Sequence, residues 1–478
     1  MEKIKDILKK YSFHPFLLIP YVIFYTITKN YKEISLYMSY RPLFIGFAFS
    51  LILFLFSKII LKENKKTALF SFFFLLILST YGVRYDFLEG LYYEGYWPFR
   101  HIHRILLISD IVVIFLLLIY IKKTKKSFVG INAFLNTTFI LLLSYNLFIC
   151  LYNFAVTKKK TIQAKVHVKS DKELPNIYYF ILDGYANNQT LKKYYNFDNK
   201  LFLNYLKSEG FFVQDTVYSN FYATEKSLTS TLNMDCYTKN SIYSNTVFKT
   251  LKENGYTINV IKSGYTVTAN FEHADQLYQP VGLNELERNL LEHTILRLDD
   301  IIGSTVFHRL KNQINAIDLF IIDKQNQFNF IHIVAPHPPY VFDRNGRKIT
   351  SINKSVNNWE PKERYIDQLV YISKIMRSKI EKIKREDKNA IILIQSDHGP
   401  YISSKNKKEI FEARALIFNC IYGPESLKKK FKSTNTSVNT FIHIFNHLFK
   451  SNLPTQKDDF VGKAEIMKSI TFKEKITH

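Results

Sequence analysis

Three short segments of this 478-residue chain carry side chains whose types suit metal-assisted chemistry. Asp183-Gly184-Tyr185 follows the apolar run Asn176–Leu182. His337-Pro338-Pro339-Tyr340 follows Phe328–Val334, and Ser396-Asp397-His398-Gly399-Pro400 follows Ala390–Gln395. Two carboxylates, Asp183 and Asp397, with the imidazole of His398, form a donor set suited to one divalent cation: zinc, manganese or magnesium. A nucleophile is available in Phe221–Met234, where Thr224 precedes a predicted helix and sits where its dipole favours negative charge. A threonine hydroxyl is a weak nucleophile, and coordination to a cation activates it, so Thr224 counts both as ligand and as attacking group. The chemistry expected is attack of Thr224 on a phosphorus centre, with the cation offsetting charge on a non-bridging oxygen.

The segments need a scaffold that brings them together. The three runs, with Thr257–Ile261, are of strand length and apolar throughout, as in parallel strands covered on both faces. Between the last two, Pro361–Arg385 reads as a helix whose apolar face runs through Ile366, Leu369, Val370, Ser373, Met376, Ile380 and Ile383. Alternating strands and helices predict an α/β domain with a mostly parallel central sheet. Sites in such sheets form beyond the carboxyl ends of strands, which places Asp183, His337, Asp397 and His398 on one rim. Gly184 and Gly399 are expected to let the backbone turn sharply there.

Composition sets the setting. The chain is 47% hydrophobic and 16% aromatic, which excludes a disordered polymer, and three cysteines exclude a disulfide scaffold. Mean hydropathy of −0.09 hides an apolar first third. Five apolar stretches stand there: about Phe13–Thr28, Pro42–Ile60, Thr67–Val83, Ile105–Ile121 and Phe128–Val156. Twelve lysines (3, 5, 9, 10, 58, 62, 65, 66, 122, 123, 125, 126) flank one set of ends, against six Lys and Arg (29, 32, 41, 84, 100, 104) on the other. The positive-inside rule then puts the N-terminus in the cytoplasm and everything after about residue 157 outside. The expected organisation is a membrane domain over 1–157, a linker over 158–175, an extracytoplasmic catalytic domain over 176–455 and a polar tail over 456–478. The net charge of +24 lacks a recognition-helix, zinc-finger or RNA-binding signature, so no nucleic-acid partner is expected.

The chain resembles membrane-anchored members of the alkaline phosphatase and sulfatase superfamily. It is similar to lipoteichoic acid synthases and lipid A phosphoethanolamine transferases through NIYYFILDGY, the Thr224-Glu225-Lys226-Ser227 element, APHPPYVFD and QSDHGP. Ser437–Leu453 also resembles a sulfatase-like branch. The resemblance implies Asp183, Thr224, Asp397 and His398 as metal ligands, Thr224 as nucleophile and His337 as the contact to the transferred group. It implies a phospholipid donor and an envelope glycan acceptor, with phosphoethanolamine or phosphoglycerol moved between them. Alternatives are a metal-dependent phosphodiesterase or sulfatase-like hydrolase, and an inactive scaffold in an envelope-polymer pathway. Asp183 stands where the transferases carry Glu, and Cys236 lacks the Pro-x-Arg context of formylglycine maturation. No second set of Asp and His ligands is evident, so one metal is expected.

Neighbouring residues have structural readings as well. Ser227 is a supporting donor, His332 a core histidine or an outer contact of the site, and Lys262 a solvated lysine or an anion contact. His443 and His447, four apart, are expected to pack a helix. Asp110 in the fourth stretch is either interfacial or a functional intramembrane carboxylate.

Overall fold

A computed structural model describes residues 2–157, 174–349 and 359–460, short of 32, 33, 35, 94, 95, 99, 100, 269, 270, 281, 298, 322–325, 405 and 459. The expected linker and tail therefore lie mostly outside the described residues. The chain divides into two units, Met1–Lys159 with Asn284–Ile302, and Lys160–Leu283 with Gly303–His478.

The first unit is helical. Helices at Leu36–Leu61, Ile102–Lys123 and Val129–Asn153 are each long and apolar enough to cross a membrane. The pair Asn64–Ser79 and Tyr81–Tyr92, bent by 43°, makes a fourth if it is one span. Five spans are not established, because Phe13–Thr28 becomes a 16-residue helix, His14–Lys29, with Pro15 near its start and Pro20 inside it. At 1.5 Å per residue it is about 24 Å long, short of a hydrocarbon core of about 30 Å. Asn136 closes its start. The Asn136 side chain accepts from the Phe13 and His14 backbone N–H groups at 2.8 and 3.0 Å, and donates to the Leu8 and Tyr11 carbonyls. Asp110 is held by a forked ion pair with Arg84, Nη2 to Oδ2 2.8 Å, which gives the carboxylate a structural partner.

The same unit includes a segment from far along the chain. Asn284 and Glu287 close a reciprocal cap on the helix Glu285–Glu292, and Glu287 also pairs with Arg41. Arg297 pairs with Asp86 at 2.8 Å and lies 4.2 Å from the centre of the Tyr85 ring.

Among the described residues the second unit has nine strands. They are β1 (Ile177–Leu182), β2 (Phe212–Val213), β3 (Val217–Tyr218), β4 (Thr257–Ile261), β5 (Gln276–Tyr278), β6 (Gln327–Ile333), β7 (Ile391–Gln395), β8 (Leu416–Ile417) and β9 (Asn419–Tyr422). Seven form one sheet in the order β2-β9-β7-β1-β6-β4-β5. The five from β7 to β5 run parallel, and β9 and β2 add antiparallel at one edge. β3 and β8 pair separately.

Both faces of the central strands are buried, which is why their sequences are apolar throughout rather than alternating. Tyr178, Phe180, Leu182, Ile392 and Ile394 face one core. Ile177, Tyr179, Ile181, Ile391 and Leu393 face the other. The helix Lys362–Glu386 covers the first face, burying Ile366, Leu369, Met376, Ile380 and Ile383 as its spacing predicts. It also buries Tyr365 and Ile372. The register pairs Leu182 with Ile333 and Ile181 with Gln395, so three parallel strands end level with one another. Asp183 begins beyond that line, its N–H donating to the Ile333 carbonyl at 3.0 Å.

Leu369 is fully buried beneath this sheet. Leu369→Ala is expected to lower stability by about 2–5 kcal/mol in chemical denaturation, through lost burial and the cavity left behind.

Candidate metal centre

Three connections leave the level strand ends, and each delivers one part of the site. The turn after β1 carries Asp183 and Gly184. Gly184 has φ +68°, and a side chain there would collide with the Trp359 ring, so both the turn and the close approach require glycine. Gly399 serves differently from the turn role expected of it. Its φ is not positive, and it is small because the Ala413 carbonyl lies against it. The helix Thr224–Asn233 starts at the same rim with Ala223 as N-cap, and no side chain caps it.

Asp183, Asp397 and His398 converge there, all buried. His398 Nε2 is 3.3 Å from Asp397 Oδ2, 3.7 Å from Asp183 Oδ1 and 3.3 Å from Thr224 Oγ1. His398 Nδ1 lies 3.1 Å from the Gly399 carbonyl. A carbonyl only accepts, so Nδ1 carries the proton and Nε2 presents its lone pair. Burial, and then the charge of Arg414, hold His398 well below the ordinary imidazole pKa, leaving it neutral at pH 7. A lone pair thus meets two carboxylates in a buried site, an arrangement that repels itself unless a cation lies between them.

The unpaired atoms point the same way. Asp183 Oδ1, Asp397 Oδ2 and His332 Nε2 are buried without a hydrogen-bond partner. Ligand atoms of Asp183, His332 and Asp397 lie within 4.8 Å of one another. Of the two carboxyls Asp397 takes up a proton more readily: burial, then the facing Asp183 charge, push it up to about 7. Asp183, though buried, faces His337, His332 and His398 and stays below the ordinary carboxylate range. Two oxygens and imidazole nitrogens with unmet capacity fit a divalent cation of the zinc or manganese kind.

His332 is the site residue that the sequence pattern left open between core and outer contact. It is fully buried near the end of β6, opposite Ile181 of β1, with Nε2 3.4 Å from Asp183 Oδ2. Thr268 Oγ1 holds its Nδ1 at 2.8 Å, and Gln313 donates to its carbonyl at 2.6 Å. The available signal was a polar residue among apolar ones at the carboxyl end of a strand that neighbours the Asp183 strand.

His337 sits beside the group rather than in it. Its ring is 6.3 Å from that of His398 and stands edge-on to Trp359 at 4.8 Å. Nδ1 donates to the Pro338 carbonyl at 2.7 Å, which leaves Nε2 as a proton acceptor. Burial lowers its pKa. Ser227 acts as a support, donating to the Asp397 carbonyl at 2.6 Å. His443 and His447 hold Thr434 and Ser426 at 2.7 and 3.4 Å, away from the rim.

Arg414 also belongs to the site, although nothing in the sequence of Lys407–Ala415 distinguishes it. Buried at the end of that helix, it donates from Nη1 to the Gly399 carbonyl at 2.5 Å and from Nη2 to the Tyr222 carbonyl at 2.6 Å. It therefore ties the chain just before Thr224 to the loop just after His398. Tyr401 stacks on the guanidinium at 4.2 Å, and Trp359 lies 5.7 Å away.

A sequence model of the sulfatase family matches residues 200–450. The chain belongs to the sulfatase family. It is accordingly a sulfatase-like transferase or hydrolase, with the α/β domain of that superfamily and an apolar helical N-terminal unit. Among solved structures it is similar to the integral membrane lipooligosaccharide phosphoethanolamine transferase A from Neisseria meningitidis, at 12% identity and TM-score 0.43 over 95% of this chain and 97% of that one. The soluble domain of the same transferase matches at 14% identity and TM-score 0.42, over 62% and 95% of the two chains. The C-terminal periplasmic domain of EcEptC from Escherichia coli matches at 15% and 0.42, over 60% and 86%. No curated protein matches the sequence.

Two outcomes follow from the geometry. Cation binding must displace the Asp397 proton, so below about pH 7 the affinity for Zn²⁺ or Mn²⁺ should fall about tenfold per pH unit and level off above it, as read by calorimetric titration. Arg414→Lys keeps the charge but loses the fork, so turnover of an artificial phosphodiester should drop about tenfold or more while bound metal stays unchanged.

Proposed function

We propose that this protein moves a phospho-group, phosphoethanolamine or phosphoglycerol, from a lipid to an envelope glycan at the outer face of the cytoplasmic membrane, through a Thr224-linked intermediate. The observation that carries this reading is the position of Thr224. Its hydroxyl lies 3.3 Å from His398 Nε2, among the carboxylates, at the start of a helix that no side chain caps. A hydroxyl at an open helix start faces backbone N–H groups that favour the charge developing on oxygen and phosphate. One divalent cation held by Asp183, Thr224, Asp397 and His398, with His332 beside them, would act as Lewis acid on the phosphoryl oxygens and lower the pKa of the threonine hydroxyl.

The chain's own residues supply the rest. In the first half-reaction the Thr224 oxygen bonds to phosphorus as the bond to the diacylglycerol oxygen breaks, and the threonine proton leaves with diacylglycerol. In the second, an acceptor hydroxyl attacks phosphorus, the Thr224 oxygen leaves, and the acceptor's proton returns to it. His337, neutral and with Nε2 open, is placed to take that proton in passage. Arg414 and Ser227 hold the attacking segment and the ligand loop at a fixed separation. Apolar helices long enough to span a membrane support a lipid donor, since they keep a soluble catalytic unit at the surface where that donor resides.

Purified full-length protein given labelled phospholipid should release diacylglycerol in a burst of about one equivalent, and turn over further only with a glycan acceptor. Continuous release without acceptor would make water the acceptor and the enzyme a phosphodiesterase. Thr224→Ala should abolish the burst, and mass spectrometry should place the phospho-group on the peptide containing residue 224 in the wild type.

A further inference from the structure

The helical unit holds a second cluster of charge that the reaction does not use. A cavity of about 600 Å³ opens where two connections meet, lined by Lys65, Lys66, Lys122, Lys123, Lys125 and Lys126 with Glu63 as the one acid. Lys65 and Lys66 stand in the first turn of Asn64–Ser79, and Lys122 and Lys123 in the last turn of Ile102–Lys123. Some 60 residues separate the two groups in sequence, so the fold, rather than one basic run, brings them together. Lys66 pairs with Glu63 at 2.9 Å. Among the described residues the other five have no acidic partner.

The positive-inside rule accounts for lysines in these connections but not for their convergence on one concavity, where ammonium groups repel one another. The backbone adds to the same field. The first intrahelical donors of the two helices that start here are Thr67, to the Glu63 carbonyl, and Asn132, to the Phe128 carbonyl. The N–H groups before each of them have no partner within the helix, and the Glu63 side chain does not cap the first. An apolar cluster of Leu61, Leu69, Phe70, Ile121 and Phe128 adjoins it through Phe128, which also lines the cavity.

We propose that this cavity binds the phosphate headgroup of an anionic phospholipid, with the acyl chains along the apolar cluster. By the lysine distribution along the sequence this end of the helical unit belongs to the cytoplasmic leaflet, and the proposal does not rest on the proposed reaction. Inorganic phosphate shares the headgroup's chemistry but gains nothing from the apolar floor, so the lipid is the favoured occupant.

The test uses the full chain in nanodiscs with a phosphatidylglycerol that carries a photoreactive group near its headgroup. Adducts in the wild type should map to residues 63–66 and 122–128. Affinity for phosphatidylglycerol should fall at least about tenfold in the variant Lys65→Gln/Lys122→Gln/Lys125→Gln, and stay within about twofold in the equally neutralised control Lys3→Gln/Lys5→Gln/Lys9→Gln. Adducts elsewhere on the chain, or equal losses in both variants, would overturn the site. Complete displacement of the lipid by millimolar inorganic phosphate would overturn the lipid assignment in favour of a free-anion site. Because the adduct map is read on the wild type, misinsertion of a variant does not blunt the result.

Discussion

Two buried carboxylates and the lone pair of a neutral imidazole face one another at the end of a parallel sheet. Left to themselves they repel. Burial removes the water that would otherwise screen them, so something positive must sit among them or a proton must be shared. Burial and the facing Asp183 charge push the Asp397 carboxyl up to about 7, so protonation of Asp397 is one way to relieve the repulsion. A divalent cation relieves the same repulsion without consuming the ionised carboxylates that bind it. The orphaned oxygens of Asp183 and Asp397 and the open nitrogen of His332 are the places where that relief would act.

The surrounding fold keeps this unfavourable cluster from relaxing. Strands β1, β6 and β7 end level, so their connections cannot drift apart without breaking the register. Apolar cores on both faces fix the strands from above and below. Side chains then brace the loops: the Gly184 N–H donates to Asp397 Oδ1 at 3.1 Å, Ser227 to the Asp397 carbonyl, and Arg414 to two carbonyls either side of the site. These braces hold the carboxylates where a cation can bind and where Thr224 can reach the same point.

Much of this was readable from residue order, and the reason is physical. Strands buried on both faces must be apolar throughout, and chemistry in such sheets gathers at their carboxyl ends. Asp183, His337, Asp397 and His398 could therefore be assigned to one rim from the runs that precede them. His332 was ambiguous because a histidine inside an apolar strand looks the same whether it fills a core or faces a site. Only the neighbour across the sheet, Ile181 and then Asp183, separates the two. Arg414 was not readable, since its role depends on carbonyls of Tyr222 and Gly399 that lie far from it in sequence. Gly399 was read as a turn, whereas its size answers to the Ala413 carbonyl. At the N-terminal end, hydropathy alone makes Phe13–Thr28 an apolar stretch of near-span length, but the helix it forms, His14–Lys29, has 16 residues and falls short of the bilayer core.

The central claim is that a cation joins the two carboxylates and His398. Crystals of the protein grown with Mn²⁺ or Zn²⁺, with data collected at the metal's absorption edge, test it most directly. The account predicts an anomalous peak at about 2.0–2.3 Å from oxygens of both Asp183 and Asp397 and from His398 Nε2. A metal-soaked crystal with no peak there, and Asp183 and Asp397 joined by a short shared-proton contact, would contradict it.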